Sequence, residues 1–140
     1  MSVQPDPGRV LRGWVERAEQ DLKNAENTLL LQEDCPFETV CFHAQQCAEK
    51  YLKALLIHRG VDYPKSHNLE VLVGLIPGGH AGVVDVELAD LALLTRFAIE
   101  GRYPGDWEPV VRKEARTSLN VARRVRDAAR KHLPSEALNP

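Results

Sequence analysis

A small set of side chains in this sequence has the types and spacing to handle phosphate. Lys50 and Lys53 follow Gln46 by four and seven residues, and His43 precedes Gln46 by three, so all four share the polar side of one helix. Amines there would meet phosphate as point charges. The same pattern also describes a solvated helix face or a polar seam between subunits. Glu49, four residues before Lys53, forms a favourable intrahelical pair with it. His67 stands in a loop beside the expected start of a helix. Its imidazole suits acid–base work, and free amides nearby could hold an anion. It could equally fix the turn by bonding to the backbone. Arg102 and Tyr103 lie in a loop tightened by Pro104 and Gly105. A guanidinium there could clamp phosphate in bidentate fashion, or pair with Asp106 or Glu108.

Further along, Arg112, Arg116, Arg123, Arg126 and Arg130 step by 4, 7, 3 and 4. This stripe is about 27 Å long at the rise of an α-helix. It could track a phosphate backbone, with steep salt dependence, or dock on acidic faces of a partner or of its own bundle. Aromatic residues are not interleaved on that face, which weakens the case for RNA. The sequence holds no Walker loop, HExxH, GxSxG or paired-cysteine metal motif. No metal and no cofactor is expected.

The elements that must position these groups are helical. Leu11, Trp14, Ala18, Leu22, Ala25 and Leu29 step by three and four and predict a first helix over about 8–31. Pro36 opens a second, about 36–59, with Asp34 or Cys35 at its cap. Its apolar band, from Phe37 through Val40, Ala44, Cys47 and Tyr51 to Leu56, is wide enough to meet several neighbours, so it is the central helix. Gly60 closes it. Ser66 or Asn68 caps a short third helix, about 68–76, which Pro77-Gly78-Gly79 stops. A fourth is expected over about 82–99 and a fifth over about 108–132, with Val111, Ala115, Leu119, Ala122, Val125 and Ala129 as its apolar stripe. No segment alternates with the period of a strand. The expected architecture is an all-α, antiparallel up-and-down bundle of four long helices and one short one, filling a single domain over 8–133 between disordered tails, 1–7 and 134–140.

Composition narrows the class further. The chain has 140 residues and a formal net charge of −2, which exerts no global pull on nucleic acid or anionic membrane. The charge is uneven: residues 1–107 carry ten Lys/Arg against sixteen Asp/Glu, and residues 108–133 carry eight against three. Cys35, Cys41 and Cys47 fit neither a zinc site nor a redox pair, and their use suits a reducing, cytoplasmic setting. No stretch is apolar enough for a membrane span or a secretion signal.

Three pieces taken together, AQQCAEKYLKALL in the second helix, KSHNLEVL after the loop and RYPGDW before the last helix, resemble the HEPN domain (higher eukaryotes and prokaryotes nucleotide-binding). The likeness runs from about residue 9 to 132. It implies an up-and-down helical bundle, usually a homodimer. Many bacterial members are encoded beside a minimal nucleotidyltransferase and form a two-component, toxin–antitoxin-like system with it. Some of those partners are thought to adenylylate a tyrosine near an Arg–His motif, a place Tyr103 would hold here. Other members are RNases that share the Arg and the His, a short gap apart, near the start of the final long helix. This chain departs from that pattern: Arg102 is followed through Glu108 by no histidine, while Arg126 and His132 have the spacing at the wrong end of the helix.

The leading expectation is therefore a non-catalytic module that binds nucleotide or RNA phosphate in a cleft between the second helix and the 100–108 loop, with a nucleotidyltransferase partner. A metal-independent RNase using His67 as base and Arg102 for the developing charge is the alternative, and a purely structural dimer is the third reading.

Overall fold

The structure is a computed structural model, and it describes residues 6–98 and 108–138. Among those residues every regular element is helical: α1 (Pro7–Leu29), α2 (Phe37–His58), α3 (Leu69–Leu75), α4 (Leu88–Thr95), α5 (Arg112–Arg130) and α6 (Ser135–Leu138), with a π-helical turn at Gly79–Val83. The expected all-α bundle is present.

Helix α2 occupies the centre and packs most extensively against α1 and α5. Its core band wraps most of its circumference, from Val40 and Ala44 through Tyr51 to Leu56, all fully buried. The close approach of its neighbours follows from small residues at the contacts. Ala18 and Ala25 of α1, Ala44 and Ala48 of α2, and Ala115, Ala122 and Ala129 of α5 are all fully buried. Trp14 and Leu29, expected in the α1 stripe, are only partly buried, and Val15 takes a core place instead.

The helix ends follow capping chemistry. The Asp6 carboxylate accepts from Arg9 N–H at 3.2 Å, with Pro7 in the first turn of α1. Pro36 itself is the N-cap of α2, in place of Asp34 or Cys35. Asp34 adopts positive φ (54°), and the Cys35 thiol donates to the Thr28 carbonyl. Gly60, at φ 68°, closes α2: Gly60 N–H donates to Ile57 O and Val61 N–H to Leu56 O, the paired bonds of a Schellman turn. Asn68 caps α3 through Oδ1, which accepts from the amides of Glu70 (2.9 Å) and Val71 (3.2 Å), while Ser66 Oγ accepts from Asn68 N–H.

Three segments differ from expectation. The helix expected from residue 82 begins only at Leu88. Residues 79–83 form the π-helical turn, and Val84 and Val86 are buried on either side of exposed Asp85. The β-branched run Val83-Val84-Asp85-Val86 resists helix and instead sinks alternate side chains into the core. At the other end, α5 starts at Arg112. Pro109 and the valines after it lie outside the helix, and Val111, expected in the apolar stripe, is its half-exposed N-cap. Residues 135–138, expected to fray, make one helical turn that lays Ala137 in the core against α1.

Candidate functional site

The polar residues of α2 form a seam with two ends, one facing α1 and the other α3. At the α1 end, Asp21 receives both His43 and Lys50. His43 Nδ1 lies 2.9 Å from Asp21 Oδ1, and Lys50 Nζ donates to the other carboxylate oxygen. At the α3 end, Glu49 is buried and receives three partners: Gln45 Nε2 at 3.0 Å, Lys53 Nζ at 2.9 Å and His67 Nδ1 at 2.9 Å. Gln45 also donates to the His67 carbonyl. Gln46 Nε2 donates to Gln45 Oε1 at 2.7 Å and so belongs to the Glu49 end.

The physics of the Glu49 group is that of a buried ion pair. Burial alone would raise the carboxyl's pKa. Hydrogen bonds from Gln45, Lys53 and His67, with the Lys53 charge, outweigh that and hold it below the ordinary value. Glu49 is therefore ionised at neutral pH and neutralised by Lys53. Lys53 is itself buried, with its Nζ 5.7 Å from the centre of the Tyr63 ring. The His67 side chain remains 60% exposed, so with Nδ1 held by Glu49 its Nε2 edge is the part of this cluster open to a ligand.

The structure thus separates two lysines that the helical spacing groups together. Lys53 belongs with His67 and Glu49. Lys50 belongs with Asp21 and borders a shallow hollow of about 460 Å³ whose other walls are Val10, Gly13, Trp14 and Arg17. Arg17 is exposed and has no ion pair among the described residues. A Cβ built on Gly13 would meet nothing within 4 Å, so the floor beside the indole is open. An aromatic face flanked by a guanidinium and an ammonium suits a planar anionic ligand. Trp14 and Arg17, one turn apart on α1, are absent from the sequence-based candidates because the apolar stripe claims Trp14 for the core. The pairing of a tryptophan with a cation three residues on was the available signal.

The arginine stripe of α5 is largely spent on the chain itself. Arg126 grips Glu19 with Nε (2.7 Å) and Nη2 (3.0 Å). Tyr51 Oη donates to Glu19 at 2.5 Å and receives Arg130 at 3.1 Å. Burial would raise the Glu19 pKa, yet the bonds from Arg126 and Tyr51 and the two guanidinium charges bring it below the ordinary value. Burial and then the Glu19 hydrogen bond push the Tyr51 phenol up. Burial pushes the neighbouring Cys47 thiol up as well, so it stays protonated and inert. Arg123 pairs with Glu26 at 2.5 Å. Arg112 donates to the carbonyls of Leu29 and Leu31 and lies 4.9 Å from the centre of the Phe37 ring. Of the five, Arg116 alone is left without an ion pair or hydrogen bond among the described residues. Of the two readings of the stripe, docking on the bundle's own acidic face accounts for most of it.

Arg102 and Tyr103 lie outside the described residues, as does most of the 100–108 loop that was expected to wall the cleft. Among the described residues no group of histidine, cysteine and carboxylate side chains could hold a metal ion, and no helix is long and apolar enough to cross a membrane.

Comparison with known proteins places this geometry in context. The family model described as the HEPN domain matches residues 11–132. TT1696 from Thermus thermophilus is similar in structure, with a TM-score of 0.73 and 29% identity over 88% of this chain and 98% of that one. ST0689, an archaeal HEPN homologue, is similar with a TM-score of 0.67 and 25% identity over 86% of this chain and 95% of that one. No curated protein matches the chain.

Proposed function

The chain belongs to the HEPN domain family, whose functions concern nucleotides and RNA, and from that premise we propose that it is a non-catalytic nucleotide-binding module serving a separate minimal nucleotidyltransferase in a two-component, toxin–antitoxin-like system in the cytoplasm. The observation that carries the binding half is the hollow beside Lys50. Its volume, about 460 Å³, lies in the range of small-ligand sites. The Trp14 indole offers a stacking face for a base, and Arg17 and Lys50 stand at the rim for a phosphate. Asp21 neutralises Lys50, so Arg17 supplies the net positive charge and Lys50 a donor already oriented by its carboxylate.

Catalysis finds less support. Lys53, which shares the Glu49 carboxylate with His67, is neutralised by it. A lysine so neutralised is a poor group to meet the charge that grows on phosphate during cleavage. The partner half rests on the family resemblance alone.

Calorimetric titration with AMP tests the binding half. Saturable binding is expected, weakened about tenfold by Trp14→Ala and again by Arg17→Ala, and unchanged by His67→Ala. Affinity insensitive to the first two substitutions would remove the hollow from the account. Co-expression with the nucleotidyltransferase encoded nearest to this chain tests the other half. Recovery of a stable complex is expected, and two proteins that elute separately at micromolar concentration would refute it.

A second reading has one observation in its favour. Glu49 fixes the His67 ring and leaves Nε2 outward, the arrangement of an oriented general base. On that reading the chain is a metal-independent RNase, with Arg102 as the cation. RNA cleavage by pure protein, abolished by both His67→Ala and Arg102→Ala, is its signature.

A further inference from the structure

At 77%, Leu30 is the most exposed large apolar residue among the described residues, and Leu31 beside it is half exposed. Leu30 helps to wall a groove of about 570 Å³ between the end of α1 and α5. A second hollow, of about 340 Å³, shares Leu29, Leu30, Arg112 and Arg116 with it, so the two form one trough. Leu31 and Gln32 carry the trough past the end of α1. Leu119, itself buried, lies at its floor.

The trough holds more positive charge than the fold itself uses. Arg123 pairs with Glu26, the one carboxylate on the walls among the described residues. Arg112 donates to the carbonyls of Leu29 and Leu31, and a helix end offsets only about half a charge. Arg116 is exposed, with no ion pair or hydrogen bond among the described residues. Carboxamides stand on both walls, Asn27 on α1 and Asn120 on α5, with Gln32 beyond them. Each offers a donor and an acceptor, the complement of a peptide unit. No aromatic ring among the described residues lines either hollow, so a nucleic acid base finds no stacking face here.

We propose that this trough docks an acidic peptide segment of another protein, with leucine-type side chains seated on Leu29, Leu30 and Leu119 and carboxylates meeting Arg112 and Arg116. Apolar anchors supply the affinity, and the guanidiniums select and orient the acidic flanks. The carboxamides on either wall serve the peptide backbone. A small amphipathic carboxylate would use the leucines and one guanidinium and have no need of them. Neither half of the proposed function is required here: the Trp14 hollow shares no residue with this trough, and no nucleotidyltransferase is invoked.

The test pans a displayed library of random short peptides on the full chain, with counter-selection on a Leu30→Asp, Arg116→Glu variant. Enriched sequences should set Asp or Glu beside Leu or Ile. A selected peptide, labelled and titrated by fluorescence anisotropy, should lose about tenfold or more in Kd with Leu30→Asp or with Arg116→Glu, and should weaken at high salt. Replacing its acidic residue by lysine should abolish binding to the parent and restore it to Arg116→Glu, a rescue that also shows the variant is folded. Peptides that bind parent and counter-selection variant alike, enriched peptides without carboxylates, or a charge reversal that restores nothing would each overturn the proposal. So would enriched peptides that copy a stretch of this chain, which would give the trough to a second copy. An oligouridylate that displaces the peptide and itself depends on Arg116 would overturn it in favour of RNA.

Discussion

Gln46 Nε2 lies 2.7 Å from Gln45 Oε1, and this contact between adjacent residues extends the Glu49 cluster along α2. Gln45 is fully buried and bonds onward to Glu49 and the His67 carbonyl. Gln46 sits on the side of Asp21, His43 and Lys50. Buried polar networks of this kind are stable when every member is satisfied and costly when one is removed.

The Glu49–Lys53 pair gives the sharpest stability test. Lys53→Ala strips the counter-charge from a carboxylate that is 4% exposed, and unfolding free energy should fall by about 3–5 kcal/mol in urea denaturation. Glu49→Gln together with Lys53→Met removes both charges and should recover much of that loss. Equal destabilisation by the single and double replacements would mean the pair is not the source.

Acid sensitivity follows from the two depressed carboxyls. Glu19 and Glu49 have lower pKa values in the folded chain than when unfolded. A group shifted in that direction stabilises the fold above its unfolded pKa and loses the contribution as pH falls through the lowered folded value. Urea midpoints should hold from neutrality to about pH 5 and then drop below about pH 4. Replacing Glu19 by Gln should flatten the drop. A midpoint independent of pH across that range would contradict the shifts.

Two glycines should respond oppositely to alanine. A Cβ on Gly79 would lie 2.1 Å from the Val73 carbonyl oxygen, so Gly79→Ala must displace backbone and should cost about 2 kcal/mol or more. A Cβ on Gly74, within α3, meets nothing within 4 Å, and Gly74→Ala should stabilise by about 0.5–1 kcal/mol. Thermal melts of the pair decide it, and a shift of the same sign in both would be contrary to the packing at Gly79.

Gly13 couples stability to function. It sits inside α1 with open space where a Cβ would go, so Gly13→Ala should also stabilise the helix by about 0.5–1 kcal/mol. The added methyl enters the hollow beside Trp14, and AMP affinity should fall. A variant both more stable and better at binding would argue against the hollow.

Much of this was legible in the sequence. The three- and four-residue spacing from Leu11 to Ala25 and from Ala115 to Ala129 identifies helices that the structure retains, and Gly60 and Asn68 mark their ends by local chemistry. The failure at residues 82–87 has a local cause: a β-branched run reads as an irregular helix start, and only the core decides that Val84 and Val86 sink separately. The arginine stripe was legible as a stripe but not as an internal clamp, since Glu19 and Glu26 lie about a hundred residues from Arg126 and Arg123. Lys50 and Lys53 share a helix face in projection, yet Asp21 of α1 claims one and Glu49 of α2 the other. Trp14 was hidden by its own stripe, because spacing does not tell the middle of an apolar face from its rim.

The account depends most on the hollow formed by Trp14, Arg17 and Lys50. In a Trp107→Phe background Trp14 is the remaining tryptophan, and its emission reports on that hollow directly. Titration with AMP should quench it saturably, with the quench lost in Arg17→Ala. Emission that stays flat to about millimolar AMP, the weak end of specific affinity, would contradict nucleotide binding at this place.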